Sequence, residues 1–228
     1  MADFAFTFGK EVPPFEEAVA WFLAKRIVSK AEFEAMSAAM KAKAFTAAYV
    51  YAADDLQRVF EACEAAISRG STYREFTRAT EEILRRSWHR ETVFRTNVLS
   101  SYGAGHWEQA QQIRALRPYA RYSAVMDGRT RPLHAALHGL IYPLDHPFWQ
   151  RYWPPWDYNC RCAAVTLSVW EIQNQGLQVS TRWDGSLPPM PKNFQSPAQG
   201  GVWRPDYGKY APELAATLRQ GVERAIYE

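Results

Sequence analysis

The side chains best suited to chemistry fall in one short span, residues 126–162, MDGRTRPLHAALHGLIYPLDHPFWQRYWPPWDYNCRC. Asp127, Gly128, Arg129 and Thr130 form a turn signal. The aspartate can accept hydrogen bonds from backbone N–H groups just ahead of it, and Arg129 can fork onto a carboxylate or carbonyls. Pro132 can open a short helix that Gly139 closes, which sets His134 and His138 at i and i+4 on one face. Cys160 and Cys162 stand at i and i+2 of an extended segment, so both sulfurs point to the same side. Two histidines and two cysteines brought together make a tetrahedral zinc site, although C-x-C is tighter than the common C-x2-C spacing. In the competing arrangement the histidines bond to backbone and the cysteines pack against tryptophan.

A catalytic set can be drawn from the same residues. Asp127, His134 and His138 would serve as general base and acid, with Arg129 and Arg161 as anion clamps. That is the pattern of a metal-dependent or histidine-based enzyme acting on nucleic acid or a nucleotide. The chain carries no Gly-rich phosphate loop, no activated serine elbow and no H-E-x-x-H. A structural hydrogen-bond network accounts for such clustering without chemistry. Outside the span, Arg85, Arg86 and Arg90 in RRSWHRE read either as a solvated helix face or as a phosphate contact to DNA.

The elements that must position these residues divide into a helical half and an irregular half. Pro13 and Pro14 suit the first turn of a helix whose inner face is Phe15, Val19, Phe22 and Leu23. Ser29 and Glu32 form a capping box that starts a second helix carrying Phe33, Met36 and Met40 inward. Asp54 and Asp55 favour a further helix start; Leu56, Val59, Phe60, Cys63 and Ile67 are its buried stripe and Gly70 its stop. Cys63 on that stripe reads as a small core residue. A second capping box at Thr72 and Glu75 precedes an inner face of Phe76, Ala79, Ile83 and Leu84. A long helix follows over 91–113. Its middle is unusually small, with Ser100, Ser101, Gly103, Ala104 and Gly105, which makes sense where another backbone packs closely.

After Pro118 the pattern changes. Residues 121–126 and 162–168 read as strands, Ser168 and Glu171 form a third capping box, and 178–183 read as a strand. A Pro/Gly-rich loop spans 184–207, and Leu214, Leu218, Val222 and Ile226 mark a terminal helix over 212–227. The expected fold is α+β: a helical region over 1–118, a small loop-rich β-containing module over 119–183, and a loop with a C-terminal helix over 184–228.

Composition narrows the function classes. A net charge of +3 over 228 residues is too mild to argue nucleic-acid binding from charge alone. Three cysteines, at 63, 160 and 162, do not make a disulfide framework and suit a reducing compartment. No run approaches a membrane span, and the start has no basic leader, so a soluble protein with no membrane partner is expected.

Four blocks in the central span, in order, resemble the signature of the phage head morphogenesis family, the Mu F-like minor head proteins. The block D-x-R-T-R-P-x-H-A-A-L-x-G is carried by Asp127, Arg129, Thr130, Arg131, Pro132, His134, Ala135, Ala136, Leu137 and Gly139. D-x-P-F-W follows at Asp145, Pro147, Phe148 and Trp149, and Y-x-P-P at Tyr152, Pro154 and Pro155. N-C-R-C closes the set at Asn159, Cys160, Arg161 and Cys162. PPFEEAVAWF, the AFT at 44–46 and FRTN upstream, and W-R-P-D-x-x-K-Y-x-P-E-L downstream, are similar to the family as well. The resemblance implies a structural role in the virion, assembled in the bacterial host cytoplasm, with the portal and other head proteins as partners and with DNA packaging or ejection. It transfers no catalytic residues. It casts the central span as a fold-stabilising knot, and the arm 1–12 and loop 184–207 as contact surfaces.

Overall fold

The computed structural model describes residues 15–36, 38–41, 43–181, 189, 194 and 196–200. The arm 1–12, the prolines at 13 and 14, most of the loop 184–207 and the helix expected at 212–227 lie outside these residues.

Helix α1 (Glu16–Leu23) buries Ala18, Trp21 and Phe22. Strand β1 (Arg26–Ile27) is followed by α2 (Lys30–Ala35), α3 (Ala38–Lys41) and β2 (Ala44–Phe45), which pairs with β1 in parallel. The Ser29 capping box forms as expected. Leu23 and Met40 are exposed, against expectation. Leu23 is the last residue of α1, and Met36 turns to extended backbone after α2, so the helical period does not carry through to Met40. Helix α4 (Ala53–Ser68) buries Leu56, Val59, Cys63 and Ile67 on one stripe, with Phe60 packed at its edge. The Thr72 capping box starts α5 (Tyr73–Thr80), where Phe76 is buried but Ala79 is exposed. Thr80 takes the inner position, its hydroxyl donating to the Phe76 carbonyl at 2.8 Å.

Helix α6 (Ser87–Gln112) is the spine. It begins a turn earlier than periodicity suggests, because Arg90 reaches back from its first turn to the carbonyls of Leu84 (2.6 Å) and Arg85 (2.9 Å) and fixes the preceding bend. The small run at 100–105 lets other elements approach closely. A Cβ on Gly105 would lie 2.6 Å from the Phe15 ring and 3.0 Å from Ala18 N; one on Gly103 would overlap Pro154 O and sit 2.7 Å from Pro155 Cδ. Ala104 belongs to the core formed with α1, α4 and α5, whereas Ala110 and Trp107 pack into the second, aromatic core.

That second core rests on a three-stranded antiparallel sheet of order β4-β3-β5. Strand β3 (Tyr119–Ser123) pairs with β4 (Ile141–Pro143) and with β5 (Ala163–Leu167). β3 ends three residues before the sequence pattern does, because Ala124 N donates to the His138 ring and Met126 adopts a left-handed φ of 59°. Short helices α7 (Pro132–Ala135), α8 (Pro147–Tyr152) and α9 (Val169–Asn174) fill the connections, the last started by its capping box at Ser168. The expected strand at 178–183 is absent over its described part, 178–181. Ser180 alone lies along β4, its N–H donating to Ile141 O at 2.8 Å and its hydroxyl accepting from Ile141 N. A last turn, α10 (Pro197–Gly200), lies against α6 and α8. No helix among the described residues is long and apolar enough to cross a membrane. The whole is α+β, with a helical N-terminal half and a small β-containing module, as expected.

Candidate functional site

The site is built by three loops that the second core brings together. The first is the turn after β3. Asp127 Oδ1 accepts from Arg129 N at 3.0 Å and from the Thr130 hydroxyl at 3.1 Å, while Thr130 N donates to Asp127 O. Arg161 then forks onto the same carboxylate, 2.7 Å to each oxygen, and so ties the turn to the C-x-C segment. The Arg161 guanidinium, helped by the Arg129 N–H and the Thr130 hydroxyl, holds the Asp127 carboxyl well below the usual carboxylate range. The fork comes from Arg161, not from Arg129, which stands largely in solvent 3.9 Å from Asp127 Oδ2.

The second loop carries the histidines. His134, on α7, is 3% exposed and lies flat on Trp156, ring centroids 4.1 Å apart. Its Nδ1 faces two sulfurs, Cys160 Sγ at 3.6 Å and Cys162 Sγ at 3.5 Å. Its Nε2 faces Asp157 Oδ2 at 3.5 Å, within charge attraction but beyond a well-formed hydrogen bond. Burial pulls the His134 imidazole toward the neutral form, but Asp157 and Cys162 outweigh it and the net shift is upward.

His138 does not join this group. Helix α7 stops after Ala135, and the chain turns over to Gly139, whose φ of +83° favours glycine. The i, i+4 relation therefore no longer stacks the two rings. His138 is exposed, and its Nδ1 accepts from Ala124 N at 3.1 Å. Of the four residues expected as a two-His, two-Cys set, the structure gathers His134, Cys160 and Cys162 and leaves His138 outside the group. The general acid–base set of Asp127, His134 and His138 is not assembled either, since the three face Arg161, the cysteines with Asp157, and Ala124 respectively.

The third loop runs from α8 to β5. Pro154 and Pro155 press on Gly103 of α6, and Trp153 Nε1 donates to Gly103 O at 2.7 Å. Trp149 is fully buried, its Nε1 directed at Tyr142 O. Asn159, at a left-handed φ of 54°, donates to the Thr92 hydroxyl of α6. The two cysteines point to the same side, as their spacing predicts. Cys162 is also bonded to the Tyr122 hydroxyl, which accepts from Trp156 Nε1 at 2.6 Å. Hydrogen bonding from Cys160, and then from His134 and Tyr122, makes Cys162 the acidic member of the pair; the Cys160 thiol is pushed up by its bond to Cys162 and by burial.

Sequence reasoning missed Asp157, Tyr122 and Trp156 as partners of the cluster. The only available signal was an acid three residues before Cys160. Of the basic run, Arg85 and Arg86 are exposed, whereas Arg90 is spent on the carbonyls that set the start of α6.

Residues 57–165 match the family described as Phage Mu protein F like protein. The putative capsid assembly protein F of Escherichia phage Mu is 36% identical over 196 residues, which cover 76% of this chain and 44% of that protein. The Mu-like prophage FluMu F protein of Haemophilus influenzae is 36% identical over 165 residues, covering 64% of this chain and 40% of that protein. The chain therefore spans less than half the length of either curated relative. No solved structure matches it. Through the span that runs from α4 into β5 and contains the whole Asp127–Cys162 cluster, the chain is similar to the Phage Mu protein F like family.

Proposed function

We propose that this chain is a minor head protein of a tailed phage or prophage, acting in head morphogenesis by joining other head proteins, the portal among them. The observation that carries this reading is the match over 196 residues to a protein named as a putative capsid assembly protein. On this reading its role is structural, and its place is the virion, reached from the bacterial host cytoplasm.

The described surface offers contact points suited to such a role. Tyr49, Tyr51 and Trp88 are 68%, 75% and 54% exposed, and Tyr49 and Trp88 both pack against His89. Exposed aromatics gathered in one place favour protein interfaces. Arg85 and Arg86 border the same region beside Tyr49 and Tyr51, and they are the two guanidiniums of the basic run left for a DNA phosphate.

The test is mass spectrometry of purified particles and of empty heads. The chain is expected in both at low copy, and a triple Tyr49→Ala, Tyr51→Ala, Trp88→Ala variant is expected to be depleted while still folding. Absence of the wild-type chain from both kinds of particle overturns the reading. Steep salt dependence of duplex binding, lost in an Arg85→Ala, Arg86→Ala variant, would add DNA as a partner.

A further inference from the structure

The geometry points to a zinc site with three protein ligands, His134 Nδ1, Cys160 Sγ and Cys162 Sγ, and with solvent in the fourth position. This inference stands apart from the head-assembly reading. The three atoms lie within 4.8 Å of one another. Zinc bound at about 2.0 Å by imidazole nitrogen and about 2.3 Å by thiolate places neighbouring N and S roughly 3.6 Å apart on a tetrahedron. The two N···S distances here are 3.6 and 3.5 Å. Both N···S pairs are already at the spacing that the ion requires.

The surroundings select the same atoms. Binding through Nδ1 leaves the proton on Nε2, and that atom has Asp157 Oδ2 in front of it at 3.5 Å. A carboxylate on the far nitrogen is the usual partner of a metal-ligating histidine: it fixes the tautomer and raises the basicity of the ring. Asp157 is held in turn by Arg131, whose Nη1 is 2.6 Å from the carboxylate and whose Nη2 donates to Tyr158 O. Asp157 sits on the opposite side of the ring from the sulfurs, so it is a positioning residue and not a fourth ligand.

Charge also balances. Two thiolates neutralise a dication, Asp157 is paired with Arg131, and Asp127 with Arg161, so the ion brings no unpaired charge into a buried place. Thiolate and imidazole together in a tetrahedral arrangement suit zinc above magnesium or calcium. A cavity of about 30 Å³ touches all three ligands and is bordered by Val125, Thr130, Asn159 and the arginines at 129, 131 and 161. That is room for a single water in the open position.

The test uses the full chain, made with zinc in the growth medium and purified without chelators or metal-affinity steps. Elemental analysis is expected to find equimolar zinc in the wild type and in His138→Ala, and none in Cys162→Ser. Protein stripped of zinc and titrated with Co²⁺ should develop thiolate charge-transfer bands and the intense visible bands of tetrahedral cobalt. Asp157→Asn keeps all three ligands and should weaken zinc affinity about 10–100-fold. This variant keeps the proposal testable if Cys162→Ser fails to fold. The site is overturned if wild-type protein carries no zinc and gives no cobalt bands, or if His138→Ala loses the metal. Unchanged affinity in Asp157→Asn overturns the role of the carboxylate. A zinc-free protein in which Cys162 alone alkylates rapidly would instead make the pair with His134 a reactive thiolate, and the zinc site would fall.

Discussion

Replacing Gly103 by alanine should destabilise the protein, although the same change in an exposed helix would stabilise it. Alanine is favoured over glycine by up to about 1 kcal/mol in a helix interior. At this position, however, the new methyl would overlap the Pro154 carbonyl oxygen and lie 2.7 Å from Pro155 Cδ. Neither is the free end of a flexible side chain. One is backbone and the other a ring, and the Trp153 indole bonded to Gly103 O holds the same loop against α6. Relief requires α6 and the Pro154–Pro155 loop to part by several tenths of an ångström. Separation on that scale opens the aromatic core around Trp153 and Trp156.

Overpacking of this kind costs about 1–3 kcal/mol. Subtracting the propensity gain of about 1 kcal/mol leaves about 0–2 kcal/mol. Because both obstructing groups are rigid the upper half is expected, about 1–2 kcal/mol, a factor of roughly 5–30 in the folded-to-unfolded ratio. Urea unfolding followed by far-ultraviolet circular dichroism and by tryptophan fluorescence measures it directly. Gly105→Ala is the companion variant. Its methyl meets the tip of the Phe15 ring at 2.6 Å, which can swing aside more readily than a carbonyl, so a smaller loss is expected. A Gly103→Ala protein as stable as the wild type, or more stable, would refute the claim that this loop is seated on the helix backbone.

Three further outcomes follow from the same geometry. Cys160→Ser and Cys162→Ser should each lower the unfolding midpoint, by about 1–3 kcal/mol for a buried group that loses its partners, and should reduce incorporation into particles; normal particles from both variants would refute the fold-stabilising role of the segment. Backbone N–H bonding at Ser168, with Arg117 and the Ser168 hydroxyl, lowers the Glu171 carboxyl to about 2 from an ordinary value of 4.5. Because the folded-state value is the depressed one, this stabilisation is complete above pH ~4.5 and is lost as pH falls towards 2, so Glu171→Gln should flatten the stability profile across that window in denaturation midpoints measured from pH 2 to 6. Arg161→Lys keeps the charge but loses the two-pronged bond to Asp127. The Arg129 amide should then exchange with deuterium faster, whereas the amides of α4 should be unaffected.

The amino-acid order by itself settled whatever is decided within a turn or two of chain. The three capping boxes at Ser29, Thr72 and Ser168 formed where their spacing places them, because each closes hydrogen bonds over three residues. The stripe on α4, the same-side cysteines and the small run on α6 are likewise local patterns with one reading. The limits of that logic show at His138: its i, i+4 relation to His134 holds only if the helix continues, and α7 ends after Ala135. They show again at Met40, where extended backbone at Met36 breaks the period. What only the tertiary structure decided is which distant groups meet. The partners of His134 come from 26 and 28 residues away, the partner of Asp127 from 34, and the Pro154 backbone that presses on Gly103 stands at position 154, on the loop after α8. These meetings depend on how the aromatic core closes over β3, a sum of many weak contacts spread along the chain, and no spacing rule within the span records which side chain each one will face.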